Sequence, residues 1–219
     1  MKKIHCTFYR PEKVNIREFQ NIVGKLESDL DTICNSQISL QDASCYAFDL
    51  LRQARPLEHA PQTYYLGLDD PNQMPADARV DFFYRPTYLG AAIIIRLLLR
   101  HPQLADEKTE LGWEDEDELR RLLKDVFPGL LLGCTGRGFQ GHGYDALEGL
   151  LDTLHCFAKA GAPEFIEKYP EICPEFGKLF AESIAEIRAG AEAGTLQNEW
   201  GVDYGKEAAE LLQLADQSR

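Results

Sequence analysis

The chain has 219 residues, of which 44% are hydrophobic and 27% are charged, as in an ordinary globular protein. Its 36 acidic residues outnumber its 23 basic ones, and the formal net charge of −13 argues against nucleic-acid binding, which needs a basic surface. The longest apolar run, 90–95, is far shorter than the roughly 20 residues of a membrane span, and no apolar signal-peptide core follows Met1. We therefore expect one cytoplasmic domain, 1–219, without a membrane anchor.

The six cysteines do not form a C-x-x-C pair, the spacing that would indicate a redox or metal motif. Cys34, Cys45 and Cys156 each lie among apolar residues at helical spacing. We therefore expect buried thiols in a reducing compartment and not disulfides.

Apolar residues spaced by three and four predict the first two helices of the chain. The first helix covers 15–35. The second begins after Ser39, a residue type that caps helix N-termini, and ends before Pro56.

Residues 56–86 differ in composition, because prolines punctuate them and aromatic residues form their apolar islands. The two islands, 64–66 and 80–84, are each compatible with a short strand. We expect an ordered irregular segment here, since a free linker would expose many aromatic side chains to water.

The stretch 87–100 is almost wholly apolar, and Pro86 suits the first turn of a helix. We expect a central, buried helix, with a strand at the isoleucine run as the less favoured alternative. Arg96 interrupts this helix, and a charge there must either extend outward along its stem or meet a carboxylate. The candidate carboxylates are those of Asp81, Asp145 and Asp152.

Further amphipathic segments complete the predicted fold. The acidic residues 114–118 suit the first turn of a helix that Pro128 and Gly129 would end. The remaining predicted helices cover 144–160, 163–169, 175–193 and 203–214. Because no β-α-β alternation is visible, we predict an all-α single domain of about seven helices arranged as antiparallel helical hairpins.

The most unusual stretch is 133–145, where five glycines separate polar residues. Replacing a glycine by alanine stabilises a protein by about 0.4–1 kcal/mol where the backbone allows it, so five retained glycines forfeit about 2–5 kcal/mol. We interpret the stretch as a loop whose glycines have positive φ or lie against a ligand.

The polar residues of this stretch precede a predicted helix N-terminus, a position that favours anionic or polar ligands. In the predicted site Arg137 supplies charge, and Gln140 and Tyr144 supply hydrogen bonds. His142 is the candidate for proton transfer, because its reference pKa is near neutrality and Asp145 would favour its charged form. The opposite wall is predicted to contain Asp81, Arg85, Tyr88 and Arg96.

An alternative interpretation of 133–145 is a structural turn in which Asp145 only caps the following helix. The G-x-G-x-x-G pattern at 136–141 does not indicate a dinucleotide site, since no second strand with an acidic residue follows. Glu148, Asp152 and His155 share one helix face, but a metal site would need ligands from other helices. We interpret that face as solvated surface and expect neither a metal nor a cofactor.

The sequence supports two functional hypotheses. In the first, the protein binds a small polar or anionic molecule in a cleft formed by 133–145, and a hydrolase or lyase is its catalytic version. In the second, it is a non-catalytic interaction protein or a self-associating homo-oligomer, with Trp113, Trp200 and the aromatic residues of 64–84 as anchors. Whether the chain is an enzyme stays open.

Overall fold

The computed structural model describes residues 16–54, 85–141 and 145–217, apart from the side chains at 16–20, 53, 54 and 136–138. Over these ranges the fold is all-α, as predicted, and the β pairing is limited to an isolated bridge between Gln197 and Asp203. The α-helices are α1 (Ile16–Asn35), α2 (Leu40–Ala54), α3 (Arg85–Arg100), α4 (Glu116–Asp125), α5 (Phe127–Gly138), α6 (Ala146–Ala160), α7 (Ala162–Lys168), α8 (Pro174–Ala193) and α9 (Gly205–Gln217). A 3₁₀ turn, Pro102–Leu104, follows α3.

Helix α3 lies at the centre of the fold, in agreement with its apolar sequence. Its three consecutive isoleucines, 93–95, are fully buried, and the helix packs against α1, α2, α5, α6 and α7. A helix that is apolar on nearly every face is stable only when neighbours cover all of them. These five helices therefore pack around α3.

Two predicted helix starts are confirmed by their hydrogen bonds. The Ser39 hydroxyl accepts a hydrogen bond from the backbone N–H of Asp42 at 3.0 Å, which caps α2. In the acidic first turn of α4, the Glu116 carboxylate accepts hydrogen bonds from the N–H groups of Leu111 and Gly112 at 2.6 and 3.0 Å. The acidic run therefore anchors the loop that enters α4.

The sequence predicts that Pro128 and Gly129 end a helix and that a loop occupies 133–145. The structure contradicts this over 127–138, which forms a helix. Helix α4 ends at Asp125, and α5 begins at Phe127 with Pro128 in its first turn, where a proline N–H is not needed. Helix α5 continues to Gly138, because Leu130, Leu131 and other apolar side chains of this segment are buried in the core. Gly133 is helical, and a Cβ added there would meet no atom within 4 Å.

Five phenylalanines connect the end of α5 to α6, α7 and α8. Their ring centroids lie 5.1–6.4 Å apart, mostly with tilted or edge-to-face geometry, the separations at which aromatic pairs attract. The rings belong to Phe139, Phe157, Phe165, Phe176 and Phe180. This cluster fixes one side of α6, so that the opposite side of α6 faces α1 and α3.

Ion pairs between helices show which helices are neighbours and, for one pair, their relative direction. Arg188 of α8 forms an ion pair with Asp216 of α9 at 2.9 Å, so these two helices contact each other beside the connector 194–204. Helices α1 and α6 run in the same direction, because Glu27 and Asp152 share a partner near one end and Asp31 contacts Lys159 farther along both helices.

Helix α3 runs in the same direction as α1 and α6. At its carboxyl end, the Arg100 guanidinium donates to the backbone carbonyls of Cys34, at 2.5 Å, and Ser36 at the end of α1. Near the end of α6, a Cβ added at Gly161 would lie 2.7 Å from Leu99. The three carboxyl ends therefore meet at one end of the molecule, where basic side chains satisfy the last carbonyls.

Several sequence-based expectations have a mixed outcome. The irregular segment 56–86 lies outside the described residues up to position 84, and Arg85 and Pro86 belong to the first turn of α3. Cys156 is buried and Cys34 is half-buried, but Cys45 is exposed because it lies on the outer face of α2. Among the helices described here, none is both long and apolar enough to cross a membrane.

Candidate functional site

A cleft opens on the surface between α1, α3 and α6. Its cavity volume is about 260 Å³, slightly below the range of about 300–1,000 Å³ that is usual for ligand pockets. The lining residues are Glu27, Leu30 and Asp31 of α1, Arg85, Tyr88 and Leu89 of α3, and Asp152, His155, Cys156 and Lys159 of α6. Among the described residues, the lining comes from these three helices, which run in the same direction and converge at the cleft.

Arg85 joins the three helices at one end of the cleft. Its Nε and Nη2 atoms donate to Oε1 of Glu27 at 3.0 and 2.6 Å, and its Nη1 atom lies 3.4 Å from Oδ2 of Asp152. Burial alone would lower the pKa of this guanidinium, but the Tyr88 phenol and the bonds to Glu27 outweigh it and raise the pKa. Arg85 is therefore a permanent positive charge held between two carboxylates.

A second ion pair spans the other end of the cleft. The Lys159 ammonium group of α6 donates to Oδ1 of Asp31 on α1. The backbone carbonyl of Lys159 also lies 3.6 Å from the Cys34 thiol. The two walls α1 and α6 are therefore tied by charge at both ends, and the space between the ties remains open.

His155 lies between these two ion pairs on α6. It is half-buried, it lines the cavity, and within the described residues its imidazole makes no hydrogen bond. The face that contains Asp152, His155 and Lys159 was expected to be solvated surface, but it forms one wall of the cleft. Within the part of the chain that the structure describes, no group of three His, Cys, Asp or Glu side chains is arranged to hold a metal ion.

The floor of the cleft is formed mostly by apolar side chains. Leu30, Tyr88, Leu89 and Cys156 are all buried beneath the charged rim. Burial raises the pKa of the Cys156 thiol far above its usual value, so this cysteine stays protonated near neutral pH. Cys156 therefore provides a packing surface and not a nucleophile.

The structure brings two of the predicted site residues into this cleft, Arg85 and Tyr88. Arg96, one wall residue of the predicted site, is not among the lining residues. Its Nε atom is buried, and among the described residues this atom has no hydrogen-bond partner and no carboxylate forms an ion pair with the side chain. Of the three carboxylates proposed for it, Asp145 and Asp152 are bonded to other residues, and Asp81 lies outside the described residues.

Asp145 caps α6, as the alternative interpretation of the glycine-rich stretch proposed. Its Oδ1 atom accepts hydrogen bonds from the N–H groups of Leu147 and Glu148 at 3.0 and 3.1 Å. Its Oδ2 atom accepts from Asn198 at 2.5 Å and from the Tyr204 hydroxyl at 2.6 Å. Burial acts to raise the pKa of Asp145, but these hydrogen bonds outweigh it and hold the pKa below its usual value.

The remaining residues of the predicted site are described only in part. His142 and Tyr144 lie outside the described residues, Arg137 is in α5 without a described side chain, and Gln140 is exposed. Gly141 has φ of +77°, and a Cβ there would lie 2.1 Å from the carbonyl oxygen of Ala146. The expectation of a positive φ is therefore confirmed at Gly141. The ligand role of this stretch stays a prediction.

Four of the charged and polar residues that line the observed cleft were not selected from the sequence as site residues: Glu27, Asp31, His155 and Lys159. Charges spaced by four on one helix are common on solvated surfaces, so the pattern has little specificity. The signal that could have found them is the presence of acids on α1 and of a mixed set of charges on α6, both at helical spacing. Only the packing of α1 against α6 distinguishes these residues from ordinary surface charges.

Two exposed apolar side chains lie on the connector between α8 and α9. Trp200 and Val202 are 51% and 48% exposed, and Oδ1 of Asn198 accepts hydrogen bonds from both of their N–H groups. Trp113, the other predicted anchor, instead packs edge-to-face on Phe48 with ring centroids 5.2 Å apart.

Comparison of this chain with protein-family models, curated proteins and solved structures found no match.

Proposed function

We propose that this protein binds a small polar molecule in the cleft between α1, α3 and α6. The observation that carries the proposal is the combination of a floor of buried, mostly apolar side chains with a rim of charged side chains from three helices. Ligand sites are mostly apolar cavities with a few polar groups that fix orientation. Two of the rim and floor residues, Arg85 and Tyr88, were also selected from the sequence as ligand-binding residues.

Ion pairs that only joined helices would not need this arrangement. Exposed ion pairs contribute about 0–1 kcal/mol each, so they are a weak reason to place five charged groups around one opening. The imidazole of His155, which also lines the cleft, adds a hydrogen-bonding group between the two ion pairs. A bound ligand gives such a group a partner.

The proposal is limited to binding. The catalytic version of the hypothesis, a hydrolase or lyase, depends on proton transfer by His142, which lies outside the described residues. Its second residue, Asp145, has all its described contacts with a helix N-terminus and with Asn198 and Tyr204. These contacts support a structural role for Asp145.

A fragment screen by two-dimensional NMR tests the proposal. Binding in the cleft should shift the amide signals of α1, α3 and α6 together. The variant His155→Trp fills the cleft and should abolish these shifts, whereas Gln213→Trp, at an exposed site of α9, should preserve them. Fragments that bind His155→Trp as well as the native protein, or that shift other elements only, would contradict the proposal.

The interaction hypothesis remains a second candidate, because Trp200 and Val202 are exposed on a rigid turn. Exposed tryptophan is a common anchor residue at protein interfaces. If the protein self-associates through this turn, sedimentation velocity should show an oligomer that Trp200→Ser dissociates. Persistence of the same sedimentation coefficient in the variant, or a native monomer at all concentrations, would exclude self-association through this turn.

A further inference from the structure

The solvent exposure of the charged groups on the rim indicates which ligand charge the cleft favours. The three carboxylates of the rim are more exposed than its two cations: Glu27, Asp31 and Asp152 are 41%, 56% and 49% exposed, whereas Arg85 and Lys159 are 29% and 36% exposed. The two cations are less exposed, and each contacts a carboxylate that covers part of it. An entering molecule therefore meets carboxylate oxygens first.

Among the described residues, two of these carboxylates are bonded through one oxygen each. Glu27 accepts both hydrogen bonds from Arg85 through Oε1, and Asp31 pairs with Lys159 through Oδ1. Within the described residues, nothing donates to Oε2 of Glu27 or to Oδ2 of Asp31. An ionised carboxylate has about four lone-pair positions, so each group retains acceptor capacity toward the cleft.

Glu27 and Asp31 are also four positions apart on α1, where side chains of a helix are neighbours. Two like charges at this spacing repel each other, and each pairs with only one cation from another helix. A positive group placed between them would interact with both carboxylates. Since the chain has a formal net charge of −13, its long-range field also attracts cations and repels anions.

We infer that the cleft binds a small organic molecule through a primary ammonium group held between Glu27 and Asp31. The inference rests on the proposed function and, of the polar or anionic ligand expected from the sequence, departs from the anionic alternative. An ammonium group has three N–H donors, which matches two carboxylate oxygens and an imidazole nitrogen of His155. The apolar body of the ligand would lie on the floor of Leu30, Leu89 and Cys156, and the volume of about 260 Å³ limits it to a small molecule.

Three probes of equal size and different charge test the inference: butylammonium, butyrate and butan-1-ol. Each is titrated by NMR into the full chain, and the amide signals of α1, α3 and α6 are followed. Butylammonium should bind at least about tenfold more tightly than the other two, because only it forms charge-assisted hydrogen bonds with the rim. Glu27→Gln and Asp31→Asn should each weaken its binding by about tenfold, as charge-assisted bonds are lost.

The matched control is Asp49→Asn, which removes an exposed carboxylate of α2 away from the cleft and should leave the affinity unchanged. Far-ultraviolet circular dichroism of all variants separates loss of binding from loss of fold. Tighter binding of butyrate or butan-1-ol in the cleft would overturn the inference and leave the proposed function standing. If no probe binds and the fragment screen is also negative, both fail.

Discussion

The Lys159 ammonium group on α6 donates to the Asp31 carboxylate on α1. The two residues are 128 positions apart in the chain, and their ion pair joins the two helices. This ion pair and the Arg85 pair with Glu27 tie the walls of the cleft together across its two ends. Both pairs are partly exposed to solvent. Their role is therefore better tested through the geometry of the cleft than through the stability of the protein.

The first prediction concerns this ion pair. A double-mutant cycle of Asp31→Asn and Lys159→Gln should give a coupling energy of only about 0.2–1 kcal/mol, because both side chains are partly exposed and water screens their charges. Urea denaturation at low and high salt measures it, and high salt should reduce the coupling. A coupling of several kcal/mol would show that the pair is far better shielded from solvent than its exposure indicates.

The second prediction concerns Asp145. The substitution Asp145→Ala should destabilise the protein by about 1–2 kcal/mol, because it removes the cap of α6 and leaves Asn198 and Tyr204 without their acceptor. Asp145→Asn, which keeps a capping oxygen, should cost less. The free energy of unfolding in urea is the measurement. Equal losses in both variants would show that the charge and not the cap is important.

The third prediction concerns the pH dependence of stability at His101. Burial lowers the pKa of His101 below its ordinary value of 6.5, and its buried Nε2 atom has no hydrogen-bond partner among the described residues. The unfolded chain therefore binds a proton at a higher pH than the folded chain. As the pH falls below 6.5, stability should decrease until the folded pKa is passed.

Urea denaturation at about pH 7.5 and about pH 5 measures this effect against the reference pKa of histidine. The variant His101→Gln should lose less stability between the two pH values than the native protein does. An identical loss in both proteins would assign the pH dependence to other groups.

The fourth prediction compares two glycines of the stretch 133–145. Gly141→Ala should destabilise the protein by more than about 1 kcal/mol, because φ is +77° and the new Cβ would overlap the carbonyl oxygen of Ala146. Gly133→Ala should stabilise it by about 0.5–1 kcal/mol, because the position is helical and the space beside it is open. Thermal unfolding of both variants gives the sign of each change. Loss of stability at position 133 would indicate a close contact there.

The position of α5 shows where local sequence patterns are insufficient. Proline and glycine at 128 and 129 usually end helices, and glycines from 133 onward favour a loop, so sequence reasoning placed a loop there. Helix α5 forms because Leu130 and Leu131, with the buried Cys134 and Thr135, join the core around α3. Tertiary burial exceeded the small helix penalty of each glycine, which is about 1 kcal/mol.

The sequence by itself determined the all-α class, the central position of α3, the cap at Ser39 and the approximate bounds of most helices. These properties follow from apolar periodicity and from local hydrogen bonds, which involve residues only a few positions apart. The tertiary structure alone decided the cleft, because Glu27, Arg85 and Asp152 come from three helices far apart in the chain. Their proximity depends on how α1 and α6 pack against α3, and the spacing of charges within any one helix does not encode that packing.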